Sequence, residues 1–294
     1  MLLAAVLLGA TPVAPQDAAW ELVVLGIAQD AGAPQLGCQQ DLCVERRSGK
    51  RPRERVSSLG LRRSQASAPS TEHPALSTQH YLFDATPDLP SQLHTLSDGR
   101  VPDGIFLTHG HIGHYTGLMY LGRESINASK VPVYGTARMQ SFLASNGPWS
   151  QLVALGNIAP VTLTPDQPVM LAEGVRVTPL LVPHRDEFTD TVGFLIEGPR
   201  RSALFIPDID QWSRWDRDIR ALADRVDYLF LDGTFASPDE IPGRSIEQIP
   251  HPLMPVTREL LKGTKAQLWF IHLNHTNREL DARDVVKDGA RFPL

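Results

Sequence analysis

Gly104-Ile105-Phe106-Leu107-Thr108-His109-Gly110-His111-Ile112-Gly113-His114 holds both a strand and the chemistry that the strand presents. The apolar opening, bounded by a glycine, reads as a short buried strand. Directly beyond it, His109, His111 and His114 fall within six positions. A lone histidine is usually a polar surface or core residue. Three in the spacing H-x-H-x-x-H at a strand's C-terminal end allow a loop to turn three imidazoles toward one point. Neutral imidazole suits zinc and iron, so the run points to a metal rather than to packing.

Strands dominate outward from this stretch. Apolar runs bounded by turn residues predict strands over 22–28, 56–61, 80–84, 104–108, 131–134, 175–182, 191–196, 203–206, 227–231 and 266–271. Helical periodicity predicts helices over 136–145, 211–223 and 255–261. Helices interleaved with strands in both halves suit a layered α/β protein in which helices cover packed sheets. No internal repeat or second composition regime divides the chain, so a single domain is expected over 20–294.

The chain has 294 residues, 42% of them hydrophobic and 21% charged, which is ordinary for a globular protein and argues against disorder or a fibrous repeat. Its formal charge of -5 supplies no global attraction for nucleic acid or anionic membranes, and neither is expected as a partner. Residues 1–14 are apolar and end in small residues near Ala14, as in a secretory signal, but lack a positive n-region. The other reading is a mis-assigned start or a first buried strand. Export would make the protein periplasmic or secreted; otherwise it is cytoplasmic. No later run reaches the roughly 18 to 20 apolar residues of a membrane span. Cys38 and Cys43 are the two cysteines, and in an exported protein a local disulfide is expected. Residues 46–63 are rich in arginine, which reads either as a phosphate-seeking patch or, better in an acidic chain, as a solvated loop and strand edge near the mouth of the site. Residues 64–78, rich in Ser, Ala and Pro, read as a hairpin insertion.

The histidine run resembles the H-x-H-x-D-H signature of the metallo-β-lactamase superfamily. Later landmarks follow in that superfamily's order: Val182-Pro183-His184, Phe205-Ile206-Pro207-Asp208, and Phe270-Ile271-His272-Leu273-Asn274-His275. More narrowly, residues 25–35, 183–188 and 272–277 are similar to the pyrroloquinoline quinone biosynthesis protein B branch. The resemblance implies an αββα sandwich with the metal at one edge, between two sheets. It also implies a first metal site of His109, His111 and His184, and a second of His114, Asp208 and His272.

Gly113 departs from the pattern, standing where the superfamily has an aspartate that binds the second metal. One tight zinc and a weaker second are therefore expected, with Gly113→Asp strengthening the weaker site. Asp232 and Asp84 are candidates to orient histidines, and His251 is expected on the rim. The implied chemistry is hydrolysis of an ester, lactone, phosphodiester or amide in a small-molecule substrate, by a water whose pKa zinc lowers toward about 7. Asp208 would position the water, and His114 or His275 would protonate the leaving group. Two alternatives stand beside it: a non-haem iron oxygenase, since histidines with a carboxylate also suit iron, and a non-catalytic metal-binding protein.

Overall fold

In strand β1 (Trp20–Gly26), Leu22 and Val24 join one buried cluster with Phe83, Phe106, Phe194, Phe205 and Phe230, while Val23 and Leu25 join another formed with helices. Alternate side chains leave a strand on opposite faces. Both faces are covered here, so the strands read as unbroken apolar runs rather than alternating ones. The computed structural model describes residues 20–63, 79–171, 174–240, 250–280 and 282–294. The expected signal at 1–14 and the expected insertion at 64–78 lie outside the described residues.

After β1 come β2 (Ser58–Arg63), β3 (His80–Phe83), β4 (Gly104–Phe106), β5 (Val131–Thr136), β6 (Ile158–Leu163) and β7 (Val169–Met170). The remainder are β8 (Arg176–Leu181), β9 (Val192–Glu197), β10 (Ser202–Ile206), β11 (Tyr228–Asp232), β12 (Gln267–Ile271) and β13 (Arg291–Pro293). One sheet has the order β13-β1-β2-β3-β4-β5-β6 and the other β12-β11-β10-β9-β8-β7. Their inner faces meet in the first cluster, where Phe83 lies 5.1 Å from Phe106 and 5.5 Å from Phe194, ring centre to ring centre. Helices α1 (Asp41–Arg47), α2 (Leu89–Ser97), α3 (Ile112–Tyr115), α4 (Ala137–Ser145), α5 (Trp149–Ala154), α6 (Ile219–Ala223) and α7 (Met254–Leu260) complete the described set. Residues of α2 to α5 cover the outer face of the first sheet, and residues of α6 with Trp212, Trp215 and Leu261 cover that of the second. This is the expected four-layer αββα sandwich.

Strand direction decides where the site lies. β3 runs parallel to β4, and β10, β11 and β12 are mutually parallel. β1 is related to β3, and β8 to β10, by two antiparallel steps, so each shares its partner's direction. The segments that follow these strands carry Asp30, Asp84, the histidine run, His184, Asp208 and His272, and Asp232 ends β11. Asp84 and His272 turn the chain at their strand ends with φ of 67° and 60°, a left-handed conformation that costs a non-glycine residue of order 1 kcal/mol or more.

Two expectations are corrected. The single helix over 211–223 is a 3₁₀ turn at Trp212–Arg214 followed by the separate α6. The tryptophans cause the break: Trp212 Nε1 donates to Thr257 Oγ1 at 2.9 Å and Trp215 Nε1 to the Leu181 carbonyl at 2.6 Å, after which Asp218 caps a new helix. The arginine-rich stretch is not only loop and strand edge, since Arg46 and Arg47 close α1, while Arg62 and Arg63 end β2. Several of its charges are paired. Lys50 and Arg51 meet Glu45 at 2.7 and 2.6 Å, Arg55 holds Asp288 through two nitrogens at 2.8 and 2.6 Å, and Arg62 meets Glu21 at 2.8 Å.

The histidine run is laced to the end of β3. Ala85 N donates to the His114 carbonyl at 2.8 Å, and Gly117 N donates to the Ala85 carbonyl at 2.9 Å. A Cβ at 117 would lie 2.1 Å from the Thr86 carbonyl oxygen, so glycine is required by this close approach. Gly117→Ala is expected to destabilise the fold by about 1–3 kcal/mol, the usual cost of overpacking a filled interior. Denaturant melts of the two proteins measure it, and an unchanged midpoint would show that the contact yields.

Candidate metal centre

Four imidazoles of the cluster have one nitrogen hydrogen-bonded on the outer side, and the outer nitrogen of the fifth, His184, faces a carboxylate. His109 Nδ1 lies 2.9 Å from Thr108 Oγ1, His111 Nε2 2.9 Å from Glu187 Oε2, and His114 Nδ1 2.7 Å from Asp84 Oδ2. His272 Nδ1 lies 3.0 Å from Thr234 Oγ1, and His184 Nδ1 faces Asp210 Oδ1 at 3.3 Å. Thr108 Oγ1 donates to Asp84, and Thr234 Oγ1 donates to Asp232 Oδ1 at 2.6 Å, so both hydroxyls are set to accept from the rings. An outer acceptor places the ring proton on the outer nitrogen and leaves the inner lone pair for a metal.

The inner nitrogens converge. His109 Nε2 and His111 Nδ1 are 2.9 Å apart, and His184 Nε2 is 3.3 Å from His111 Nδ1. Asp208 Oδ2 lies 3.4 Å from His109 Nε2 and 3.2 Å from His184 Nε2. A tetrahedral zinc with bonds of about 2.0–2.1 Å holds its ligand atoms roughly 3.3 Å apart. The four donors therefore fit a divalent metal by their own separations.

A second group adjoins the first through the same carboxylate oxygen. Asp208 Oδ2 is 3.9 Å from His114 Nε2 and 3.8 Å from His272 Nε2. Asp30, Oδ1 foremost, approaches those two nitrogens at 3.2 and 3.5 Å. Asp30 Oδ1, His114 Nε2 and His272 Nε2 are all buried without a hydrogen-bond partner, an arrangement that costs free energy unless something binds there.

Protonation in the metal-free protein reflects this crowding. Burial works against the charged form of His184, but Asp208 and Asp210 outweigh it and raise its pKa to about 10. His114 is likewise pushed well above its ordinary value, burial being overcome by Asp84 and Asp30. His109 is held well below, by burial and by the charge of His114. Burial raises the Asp208 carboxyl, yet His184, His272 and His251 together hold it well below the usual carboxylate range.

The structure thus brings together His109, His111, His114, His184, Asp208 and His272, and it leaves His275 out. His275 is half-buried, with a ring nitrogen within 4.8 Å of the sulfurs of Cys38 and Cys43, which form the disulfide expected of an exported protein. His251 is not on the rim. It is buried, with Nδ1 2.8 Å from Asp232 Oδ2 and 3.3 Å from Asp208 Oδ1. Asp30 had no role in the sequence reading, and Glu187 and Asp210 had none either. His114 Nδ1 is taken by Asp84, and its Nε2 faces the second group.

Residues 79–273 match the model of the β-lactamase superfamily domain. The chain belongs to the metallo-β-lactamase superfamily. Within it, the chain is similar to the coenzyme PQQ synthesis protein B of Nitrosococcus oceani, with 28% identity over 89% of this chain and 92% of that one. Among solved structures it resembles zinc-bound PqqB from Methylobacterium extorquens, with a TM-score of 0.73, 21% identity, and coverage of 93% and 100% of the two chains. A diphosphatase of the PhnP family has a TM-score of 0.67 at 20% identity, covering 94% of this chain and 97% of its own. The donor set of this chain supports a metal cofactor.

Outer partners of metal-binding histidines commonly contribute 10- to 100-fold in metal affinity. Asp84→Asn is expected to weaken metal binding by about that factor, since the amide no longer accepts from both Thr108 and His114 as an anion. Competition with a chromophoric chelator measures it, and an unchanged affinity would deny Asp84 its orienting role. Affinity should also rise with pH up to about 10, because His184 carries a proton below that value when metal-free and must lose it to bind. Calorimetry in buffers of different ionisation enthalpy detects the released protons.

Proposed function

We propose that the protein is a metal-dependent hydrolase of a small-molecule ester, lactone, phosphodiester or amide. The observation that carries this reading is the convergence of His109, His111, His184 and Asp208 at ligand-to-ligand separations of 2.9 to 3.4 Å. When bound, a zinc ion supplies Lewis acidity and lowers the pKa of a coordinated water toward about 7. The chain's own residues do the remainder. Asp208, between the two donor groups, holds and aligns the attacking water. Asp84, Thr108 and Thr234 hold the rings so that no reorganisation accompanies the reaction.

His251 takes the proton-donating role expected of His114 or His275. It faces Asp208, and its orientation is held by Asp232. Ile112 and Phe188 are exposed, Phe188 directly following the Glu187 that meets His111. They give the mouth an apolar edge suited to a substrate with an apolar part. Among the described residues no helix is long and apolar enough to cross a membrane.

A non-haem iron oxygenase is the second reading. It is favoured by the similarity to PQQ synthesis protein B and by a donor set made of imidazole and carboxylate without thiolate. Metal analysis of natively purified protein, with hydrolysis of a substrate panel and oxygen consumption followed in parallel, separates the two. Zinc with chelator-sensitive hydrolysis supports the first; iron with oxygen uptake supports the second. Metal without either activity would point to a binding protein. In each case His109→Ala and His184→Ala are expected to lower the bound metal by emptying the site those residues line, and unchanged metal content in both would sink that site.

A further inference from the structure

The residue that stands at the aspartate position of the superfamily motif is Gly113, in the helical turn α3. Its backbone has no need of glycine's conformational freedom, since its φ is not positive. What glycine provides is room. A Cβ at 113 would lie 2.4 Å from Asp30 Oδ1, 2.5 Å from Asp30 Cα and 2.9 Å from Asp30 Cβ. The space vacated by the missing side chain is filled by an aspartate from the loop after β1.

We propose that Asp30 is the carboxylate ligand of a second metal position, together with His114, His272 and Asp208. It replaces, from another part of the chain, the ligand that residue 113 cannot provide. This rests on the reading of the site as a metal centre. Three observations support it independently of the motif. Asp30 Oδ1 lies within 3.2 and 3.5 Å of the inner nitrogens of His114 and His272, close to the roughly 3.3 Å spacing of ligands around a tetrahedral zinc. All three atoms are buried without a hydrogen-bond partner, and His114 and His272 are 0% exposed. The loop is also built to hold Asp30 there: Gln29 N donates to the Leu273 carbonyl, next to His272, and Leu273 N donates to the Ile27 carbonyl, at 2.9 and 2.8 Å. Ala28 is bridged to both Val56 and Leu273. Asp30 and His272 are therefore mounted on one backbone frame.

The exchange of position has a direct consequence. Gly113→Asp does not restore a lost ligand; it drives a side chain into Asp30. The sequence expectation that this substitution strengthens the second site is reversed. Moving the carboxylate back requires both changes at once, since the room for a side chain at 113 exists only when residue 30 gives it up.

The test is metal content per chain, by plasma mass spectrometry after zinc loading and dialysis. It is run on the wild type, Asp30→Asn, Gly113→Asp and the double variant Asp30→Gly/Gly113→Asp, with melting curves recorded for each. About two ions are expected in the wild type, about one in Asp30→Asn, and about one in Gly113→Asp, with a return toward about two in the double variant. Asp30→Asn is isosteric, so its loss of metal with an unchanged fold isolates the ligand, and the double variant serves as its rescue. Two ions retained in Asp30→Asn would overturn the proposal. So would a wild type that holds one ion, or a double variant no better than Asp30→Asn, while the first site would stand in each of these cases. No metal in the wild type would overturn the metal-centre reading itself, an outcome distinct from the others.

Discussion

The buried carboxylate of Asp208 is the contact on which the site turns. It is 3% exposed and has imidazoles of His109, His184, His114 and His272 within 3.2 to 3.9 Å of Oδ2 and His251 3.3 Å from Oδ1. One anion surrounded by five rings with converging lone pairs is an unstable arrangement in a dry interior unless cations share it. Protons do so in the metal-free protein, which is why His184 and His114 are raised while His109 is depressed. A divalent metal would meet the same demand with less repulsion. The tertiary structure serves this demand by bringing the C-terminal ends of strands from two sheets to a common rim, the place where open α/β sheets generally bind ligands.

The fold was legible because central strands such as β4 and β11 are buried on both faces and therefore read as plain apolar runs. The chemistry was legible where it was local. His109, His111 and His114 advertise themselves by spacing, and His184, Asp208 and His272 each follow an apolar strand. Legibility ended where a residue acts through distance. The contact of His111 with Glu187 spans 76 positions and that of His251 with Asp232 spans 19. Nothing periodic in sequence marks either end. His251 was misplaced because a histidine before a proline looks like a loop, whereas here it sits on the floor of the site. His275 was overvalued because it closes a motif with His272, although three residues beyond a left-handed turn the chain faces the disulfide instead.

Helices were harder than strands for a related reason. α2 opens with a proline near its first turn and buries Leu89, Leu93 and Leu96, an apolar face only nine residues long. α1 runs into the arginine-rich stretch at its last two residues, Arg46 and Arg47, and its one buried hydrophobic residue is Cys43. Some basic residues of that stretch gain partners only after folding, such as Asp288 for Arg55. Gly113 illustrates the general difficulty most clearly. A glycine in place of a ligand looks like a loss until the space it leaves is seen to be occupied by Asp30.

The most direct measurement is anomalous diffraction from crystals of natively purified protein, with data collected on either side of the zinc and iron absorption edges. The account predicts a strong peak enclosed by His109 Nε2, His111 Nδ1, His184 Nε2 and Asp208 Oδ2. Water at that position in place of an anomalous scatterer, in protein purified without chelator, would contradict it.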